Sequence, residues 1–328
     1  MAFSGTISTT VFNTNKVLTS AVRRCKVPAE QITAETWDIA KDELHLLLSD
    51  LANQGVPLWC IEKQIYPLYD GQGAVTMGVG TVDVLNTFFR TLPQVTGTNT
   101  DTSTTRTVEF SSATVVTGVG ILWSATSVPI ALERSDDGVT WETAQNETPS
   151  ASAGEWTWFD LTAALSATWF RVRATSGTLS FDQVYLGNNP QEIPLYRMNR
   201  DDWTNLPNKF FKSNRVLQFW FDRQIPQPIM RFWPIPNAEA TTSQATVWRQ
   251  RYVMDVGTLT QELNVPQRWQ EAIVCGLARK MARTMIEVDP KIIPMLDSDA
   301  AIAFQIAQAE ERDNSPINWS PHISAYTS

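Results

Sequence analysis

The residues equipped for chemistry are few and scattered. The chain has two histidines, His45 and His322, near opposite ends, and three cysteines, Cys25, Cys60 and Cys275. Histidine is the usual acid–base group near neutral pH, and a base beside a serine or cysteine is the usual route to an activated nucleophile. Two histidines so far apart leave almost no candidates for either role. The cysteine number is odd and no CxxC pair is present, so neither a disulfide framework nor a thiolate zinc site is indicated. Free thiols acting as small buried apolar side chains are the simpler reading. His45 lies within an apolar helical stretch and reads as a residue at the edge of a core. There is no GxSxG, HExxH or GxxxxGK[ST] motif, and no GxGxxG opens a helix. Catalytic, cofactor-binding and metal-binding residues are therefore read as none, and no enzyme activity is expected.

Two groups remain. Asp136 and Asp137 are hard oxygen ligands of the kind calcium uses. In the string Ser135-Asp136-Asp137-Gly138, however, they read better as turn residues between two strands. Of the thirteen tryptophans, Trp123, Trp141, Trp156, Trp158 and Trp169 fall in one stretch of the chain. Trp141 and Trp169 are expected in a core. Trp156 and Trp158 alternate along one strand and so share a face. That face is either core or an open surface on which a ligand ring stacks, and it is the candidate ligand face.

The elements that must position these residues show a sharp change of composition. Between Pro93 and Pro190 lysine, cysteine, methionine and histidine are absent, and Thr, Ser, Gly and Trp dominate. That stretch holds four basic and ten acidic residues, a balance of −6, against −2 before it and zero after it, so it carries most of the net −8. No part is basic enough for tight wrapping of nucleic acid. Inside the stretch, β-favouring runs recur about every ten residues: Thr107–Phe110, Thr114–Trp123, Ile130–Ser135, Trp156–Leu161, Trp169–Ala174 and Leu179–Leu186. Turn residues separate them, as in a β-sandwich. Thr96–Thr107 is a linker or an exposed first strand.

The flanks are different. Helical periodicity marks 15–25, with Val17, Leu18, Ala21 and Val22 on one face, and 33–53, with Thr33 as N-cap and Gly55 as stop. Strands are expected at 58–68, 81–90, 215–221, 229–233 and 246–253. Helices follow over 267–285, started by Pro266, and from Asp297 to Arg312. The expected fold class is α+β: a helical core with short β elements, interrupted by an inserted antiparallel β-sandwich. The expected domains are 1–92 and 191–312 as two parts of one core, 93–190 as the insert, and 313–328 as an extended arm. No apolar run approaches the roughly 20 residues that span a bilayer. Met1–Thr10 is polar, without the features of a secretory signal, so no membrane partner is expected and the cytoplasm is the expected place of synthesis.

Two resemblances carry functional expectations. The string Ile130-Ala131-Leu132-Glu133-Arg134-Ser135-Asp136-Asp137-Gly138-Val139-Thr140-Trp141, followed by Trp158–Leu161 and Phe170-Arg171-Val172, resembles discoidin-like sandwiches and related carbohydrate-binding modules. It implies a sandwich of about one hundred residues and, as one reading, recognition of a host surface glycan. Outside the insert, an ordered succession resembles the head-to-tail adaptor (connector) proteins of tailed bacteriophages. It comprises Asp50-Leu51-Ala52-Asn53-Gln54-Gly55-Val56-Pro57-Leu58-Trp59, Thr81-Val82-Asp83-Val84, Ile193-Pro194-Leu195-Tyr196, Asp201-Asp202-Trp203, Leu206-Pro207-Asn208-Lys209, Phe232-Trp233-Pro234-Ile235-Pro236, Val265-Pro266-Gln267-Arg268-Trp269 and Ala309-Glu310-Glu311-Arg312-Asp313. The adaptor resemblance implies a structural virion protein at the head–tail junction, assembled in the host bacterial cytoplasm. It implies a ring, typically of twelve copies, between a portal protein and a tail nozzle or tube protein, with DNA passing through without sequence-specific binding. No cofactor is implied. The polar tail Asn314–Ser328, with Trp319, His322 and Tyr326, is then the candidate portal-binding arm, or a frayed terminus.

Overall fold

The computed structural model describes residues 12–51, 58–254 and 258–310. It forms two compact units, one from 1–61 with 251–328 and the other from 62–250. In chain order the helices are α1 (Thr14–Arg24), α2 (Ala34–Leu51), α3 (Arg200–Thr204), α4 (Gln270–Thr284) and α5 (Ile293–Glu310). The strands are β1 (Ile61–Pro67), β2 (Ala74–Thr76), β3 (Thr81–Thr91), β4 (Thr98–Asp101), β5 (Thr105–Trp123), β6 (Ile130–Ser135), β7 (Glu142–Glu147), β8 (Trp156–Ala174), β9 (Phe181–Gly187), β10 (Gln191–Pro194), β11 (Tyr196–Met198), β12 (Lys212–Ser213), β13 (Gln218–Asp222), β14 (Ile229–Trp233), β15 (Ile235–Pro236) and β16 (Gln244–Arg251). Helix and strand are mixed, and the sheets are mostly antiparallel. The boundaries expected at 92/93 and 190/191 fall inside the second unit. Gly55 and the candidate arm with Trp319, His322 and Tyr326 lie outside the described residues.

The first unit is helical. Asn13 caps α1 by accepting from Lys16 N. Thr33 and Thr36 bond reciprocally at the start of α2, Thr33 N donating to Thr36 Oγ1 at 3.2 Å and Thr36 N to Thr33 Oγ1 at 3.4 Å; such a cap satisfies amides the helix leaves open. The stripes Val17, Leu18, Ala21, Val22 and Ala40, Leu44, Leu47, Leu48 are buried against α4 residues such as Ile273, Leu277 and Met281. A Cβ on Gly276 would lie 2.7 Å from the Phe304 ring, so this glycine lets α5 approach α4. Helix α5 starts a turn earlier than Asp297, because Pro294 is tolerated in a first turn where the amide has no partner. Cys25, Cys60 and Cys275 are free and buried. Burial pushes the Cys25 and Cys275 thiols up to about 11, so at neutral pH they are poor nucleophiles. His45 is exposed on α2 rather than at a core edge.

The second unit holds two small four-stranded sheets, ordered β1-β16-β3-β10 and β11-β13-β14-β2, a β12-β15 pair, and a six-stranded antiparallel sheet. Phe89, Phe219, Phe221, Met230, Phe232 and Val247 form the core of the small sheets. The larger sheet runs β4-β5-β8-β6-β7, with β9 also on β5. Runs that read as separate strands in the sequence are here continuous. The two runs from 107 to 123 are one strand, β5, with an irregular register between Glu109 and Thr114. The two runs from 156 to 174 are β8. Val108 and Phe110 from the first half of β5 share one buried cluster with Val119, Ile121 and Trp123 from the second half. One strand can reach both sides of a core only if it bends, so the sheet folds on itself as a sandwich, the bend falling where a bulge weakens the ladder. Thr98–Asp101 is the exposed first strand, and the polar β7 forms the other edge.

The chain enters and leaves the sandwich side by side. Asn188 N donates to the Pro93 carbonyl at 3.0 Å and Val95 N to the Leu186 carbonyl at 2.9 Å, while Gln191 pairs with Thr91. Next to this neck the outer face of the sandwich is also buried. Leu92, Trp156, Trp158 and Tyr185 form a second cluster, with Ile65 and Tyr69 against it. Gly118, Gly120 and Gly187 lie beneath: a Cβ on Gly120 would collide with the Trp158 ring, and one on Gly187 with Leu92. Asp160 on β8 completes the seat. It pairs with Arg90, which is 3% exposed, and with Lys63 at 2.6 Å. Burial works against the Asp160 carboxylate, but the bonds and charges of Arg90 and Lys63 hold its pKa below the usual range.

Gly120→Val should therefore force the Trp158 ring from its seat. Overpacking of this kind costs about 1–3 kcal/mol, and a unit of this size loses roughly 2–4 °C of Tm per kcal/mol. Differential scanning calorimetry of the full chain should show that loss; an unchanged transition would mean that the seat is not tightly packed.

Candidate functional site

The structure separates the tryptophans of the insert into two groups. Trp156 and Trp158 do share a strand face, but that face is covered. Each is 8% exposed, their rings stack with centroids 4.9 Å apart, and Tyr185 meets Trp158 edge-on at 5.3 Å. Trp156 N donates to the Tyr69 hydroxyl at 2.8 Å. The pair, open in the sequence between a core and a ligand face, joins the sandwich to the small sheets, because β1, Leu92 and Tyr69 occupy the space in front of it. Trp141 and Trp169, expected in the core, are only half-buried.

Trp141 stands just before β7, after the turn that ends β6. That turn is built by side chains. Asp137 Oδ1 accepts from Thr140 N at 2.7 Å, Val139 N at 2.8 Å and the Ser135 hydroxyl at 2.9 Å. Gly138 N donates to Ser135 Oγ at 2.9 Å, and Gly138 has φ +72°, the left-handed region glycine enters freely. A Cβ on Gly138 would sit 3.1 Å from the Trp169 ring. The bonds from Thr140 and Val139, with that from Ser135, hold the Asp137 carboxyl well below the usual range. Asp137 is thus consumed by the turn.

The turn borders a cleft of about 420 Å³ lined by Arg134, Ser135, Asp136, Asp137, Thr140, Trp141 and Glu142. Arg134 pairs with Glu142 at 2.8 Å, whereas Asp136 is exposed and has no hydrogen bond among the described residues. The Arg171 guanidinium lies 4.0 Å from the centre of the Trp141 ring; contacts of this kind contribute about 0.5–1 kcal/mol at exposed sites. Arg171 is itself fixed by Glu133, which is 5% exposed and also binds Arg173. One buried carboxylate therefore orients a guanidinium, and the guanidinium orients an indole at the edge of a polar cleft. The sequence signal for this chain was the alternation Arg171-Val172-Arg173, which puts both arginines on one face. Its partner Glu133 and the packing of Trp141 were not legible without the β6–β8 register.

The arrangement can stack a ring on an indole and exchange hydrogen bonds with hydroxyl groups. It holds no pairing of base and nucleophile. Among the described residues no cluster of three or more His, Cys, Asp or Glu is placed to hold a metal ion.

No family model matches the chain, and no curated protein does. Similar solved structures include CBM32 carbohydrate-binding modules, matched over the sandwich. CBM32-1 of a family 31 glycoside hydrolase from Clostridium perfringens is 14% identical, covering 40% of this chain and 96% of that one, with a TM-score of 0.24. The CBM32 of AlyQ, solved with 4,5-unsaturated mannuronic acid, is 15% identical, covering 37% and 98%, with a TM-score of 0.24. Chitosan-binding module 1 of a chitosanase/glucanase from Paenibacillus sp. IK-5 is 17% identical, covering 38% and 99%, with a TM-score of 0.22. Likeness at this level assigns neither a ligand nor an activity to this chain.

The Glu133 hub gives the sandwich a pH dependence. Burial opposes the carboxylate, but Arg173 and Arg171 overcome it and lower the folded-state pKa. A lowered folded pKa stabilises fully above the unfolded value of about 4.3 and is lost as pH falls through the folded value. Thermal melts should show wild type losing stability over Glu133→Gln as pH drops below about 4. Parallel pH profiles would show that the hub does not hold the sandwich.

Proposed function

We propose that the insert is a carbohydrate-recognition module and that the rest of the second unit is its mounting. The observation that carries this reading is Trp141, half-buried, braced by Arg171 and set beside a polar cleft. A sugar offers an apolar C–H face for an aromatic ring and hydroxyls for polar side chains. Here Trp141 supplies the ring, the free carboxylate of Asp136 accepts from hydroxyls, and the Thr140 hydroxyl donates or accepts. The cleft lining carries three acidic side chains against one arginine, so a neutral glycan suits it better than an acidic one. The SxDG-x-TW resemblance points to the same class of ligand.

A glycan array and calorimetric titration on the full chain test this. A neutral glycan should bind, and Trp141→Ala should weaken it about tenfold or more, equal to ~1.4 kcal/mol, while lowering Tm by no more than a few degrees, the cost of the lost Arg171 contact. Binding that survives Trp141→Ala would move the site elsewhere, and an empty array would remove the reading.

A second reading is favoured by the helical unit. Met295, Ile302 and Ile306 are exposed along α5, Ile302 by 53% and Ile306 by 61%. Their spacing of seven and four residues puts them on one face, and contiguous exposed apolar residues are what a subunit contact needs. With the adaptor resemblance this supports a structural virion protein at the head–tail junction: a ring, typically of twelve copies, bound to portal and tail proteins and extending the DNA channel. Native mass spectrometry, alone and with portal protein, should then show a ring that Ile302→Asp together with Ile306→Asp reduces to monomers. A wild-type chain that stays monomeric under both conditions overturns the ring.

A further inference from the structure

A different groove, at the neck between sandwich and small sheets, contains a cation, Arg215, that meets no carboxylate among the described residues. Its volume is about 470 Å³, and its lining includes Arg215, Asn214, Glu239, Thr242, Ser243 and Tyr185. Other inward-facing arginines of this unit, Arg90, Arg106, Arg171 and Arg249, each meet a carboxylate. Among the described residues Arg215 meets none, and its Nε is buried without a hydrogen-bond partner. The position is held from behind, since the next residue, Val216, is 1% exposed in the core of the small sheets.

The Nε of Arg215 is buried without an acceptor, whereas buried polar groups are almost always bonded, and the half-buried side chain lines the groove, where it can take an acceptor from outside the chain. Its planar fork matches a carboxylate in paired N–H···O bonds. Glu239 in the same lining balances Arg215 to zero, so a monoanion is accepted more readily than a dianion such as phosphate. Glu239, Ser243, Thr242 and Asn214 are suited to hydroxyl groups, and Tyr185 supplies an apolar wall. We propose that this groove binds a hexuronic acid, a six-carbon sugar acid, with its carboxylate on Arg215 and its hydroxyls on Glu239 and the neighbouring Ser243 and Asn214. The site shares no residue with the Trp141 cleft and does not depend on it.

The test is a titration of the full chain with glucuronic and galacturonic acid, followed by calorimetry or NMR, with glucose, acetate, glycine and inorganic phosphate as comparators. At least one sugar acid should bind about tenfold or more tightly than each comparator. Arg215→Gln should abolish that preference, and Arg215→Lys, which keeps the charge, should retain part of it. If Arg215→Gln does not fold, Arg215→Lys and Glu239→Gln carry the test, each weakening the sugar acid severalfold. Equal binding of acetate or phosphate would make this a general anion site, preferential binding of glycine an amino-acid site, and either overturns the proposal. So does sugar-acid binding unaffected by these variants, or no binding at all.

Discussion

The seating of Leu92 and Trp158 on Gly118, Gly120 and Gly187 is the contact on which the second unit depends. A sandwich needs only one buried side per sheet. Around Gly120 this sheet has two: Val119, Ile121 and Trp123 face the sandwich core, while Leu122 packs on the outer cluster. The absence of side chains at the glycines admits the tryptophan pair and Leu92 to van der Waals distance. Asp160, bonded to Arg90 and Lys63, then fixes the orientation by charge. Apolar area supplies the attraction and the ion pairs supply direction, the usual division between the two kinds of contact. The sandwich is thereby held as part of a larger body rather than tethered by its neck alone.

This seat also assigns the aromatic residues. Rings used to hold the sandwich are lost to ligands, so recognition falls to rings elsewhere on it. Trp141 is kept half-open by the opposite device: polar side chains build its turn, and a charged hub fixes it through Arg171. The two clefts differ in charge for the same structural reasons. The Trp141 cleft lies beside a turn made with aspartates, in the most acidic stretch of the chain. The neck groove borders the small sheets, from which it takes Arg215.

Much of the architecture was legible in the sequence. Val17-Leu18-Ala21-Val22 and the Leu44-Leu47-Leu48-Leu51 stripe mark α1 and α2, and Thr33 is legible as the cap of α2, whereas the Asn13 cap of α1 emerges only in the structure. The β runs of the insert were legible too, but not their continuity. Ser111-Ser112-Ala113 and Thr162-Ala163-Ala164 lack the large β-favouring residues of the runs on either side, yet they lie within long strands that bend. The shared face of Trp156 and Trp158 follows from period two; what covers it comes from Leu92 and Tyr69, more than sixty residues away in sequence. A core position is what the sequence predicts for a large aromatic such as Trp141, and only the pairing of β6 with β8 brings Arg171 over its ring. The unpartnered state of Arg215 has no sequence signature, since it depends on where every carboxylate ends up.

The most direct test of the recognition claim is the indole N–H spectrum of the full chain during titration with a neutral oligosaccharide. Trp141 should shift with saturation, while Trp156 and Trp158, enclosed in the seat, stay in place. Shifts centred on Trp156 and Trp158 with Trp141 unmoved, or no shift from any indole, would contradict the account.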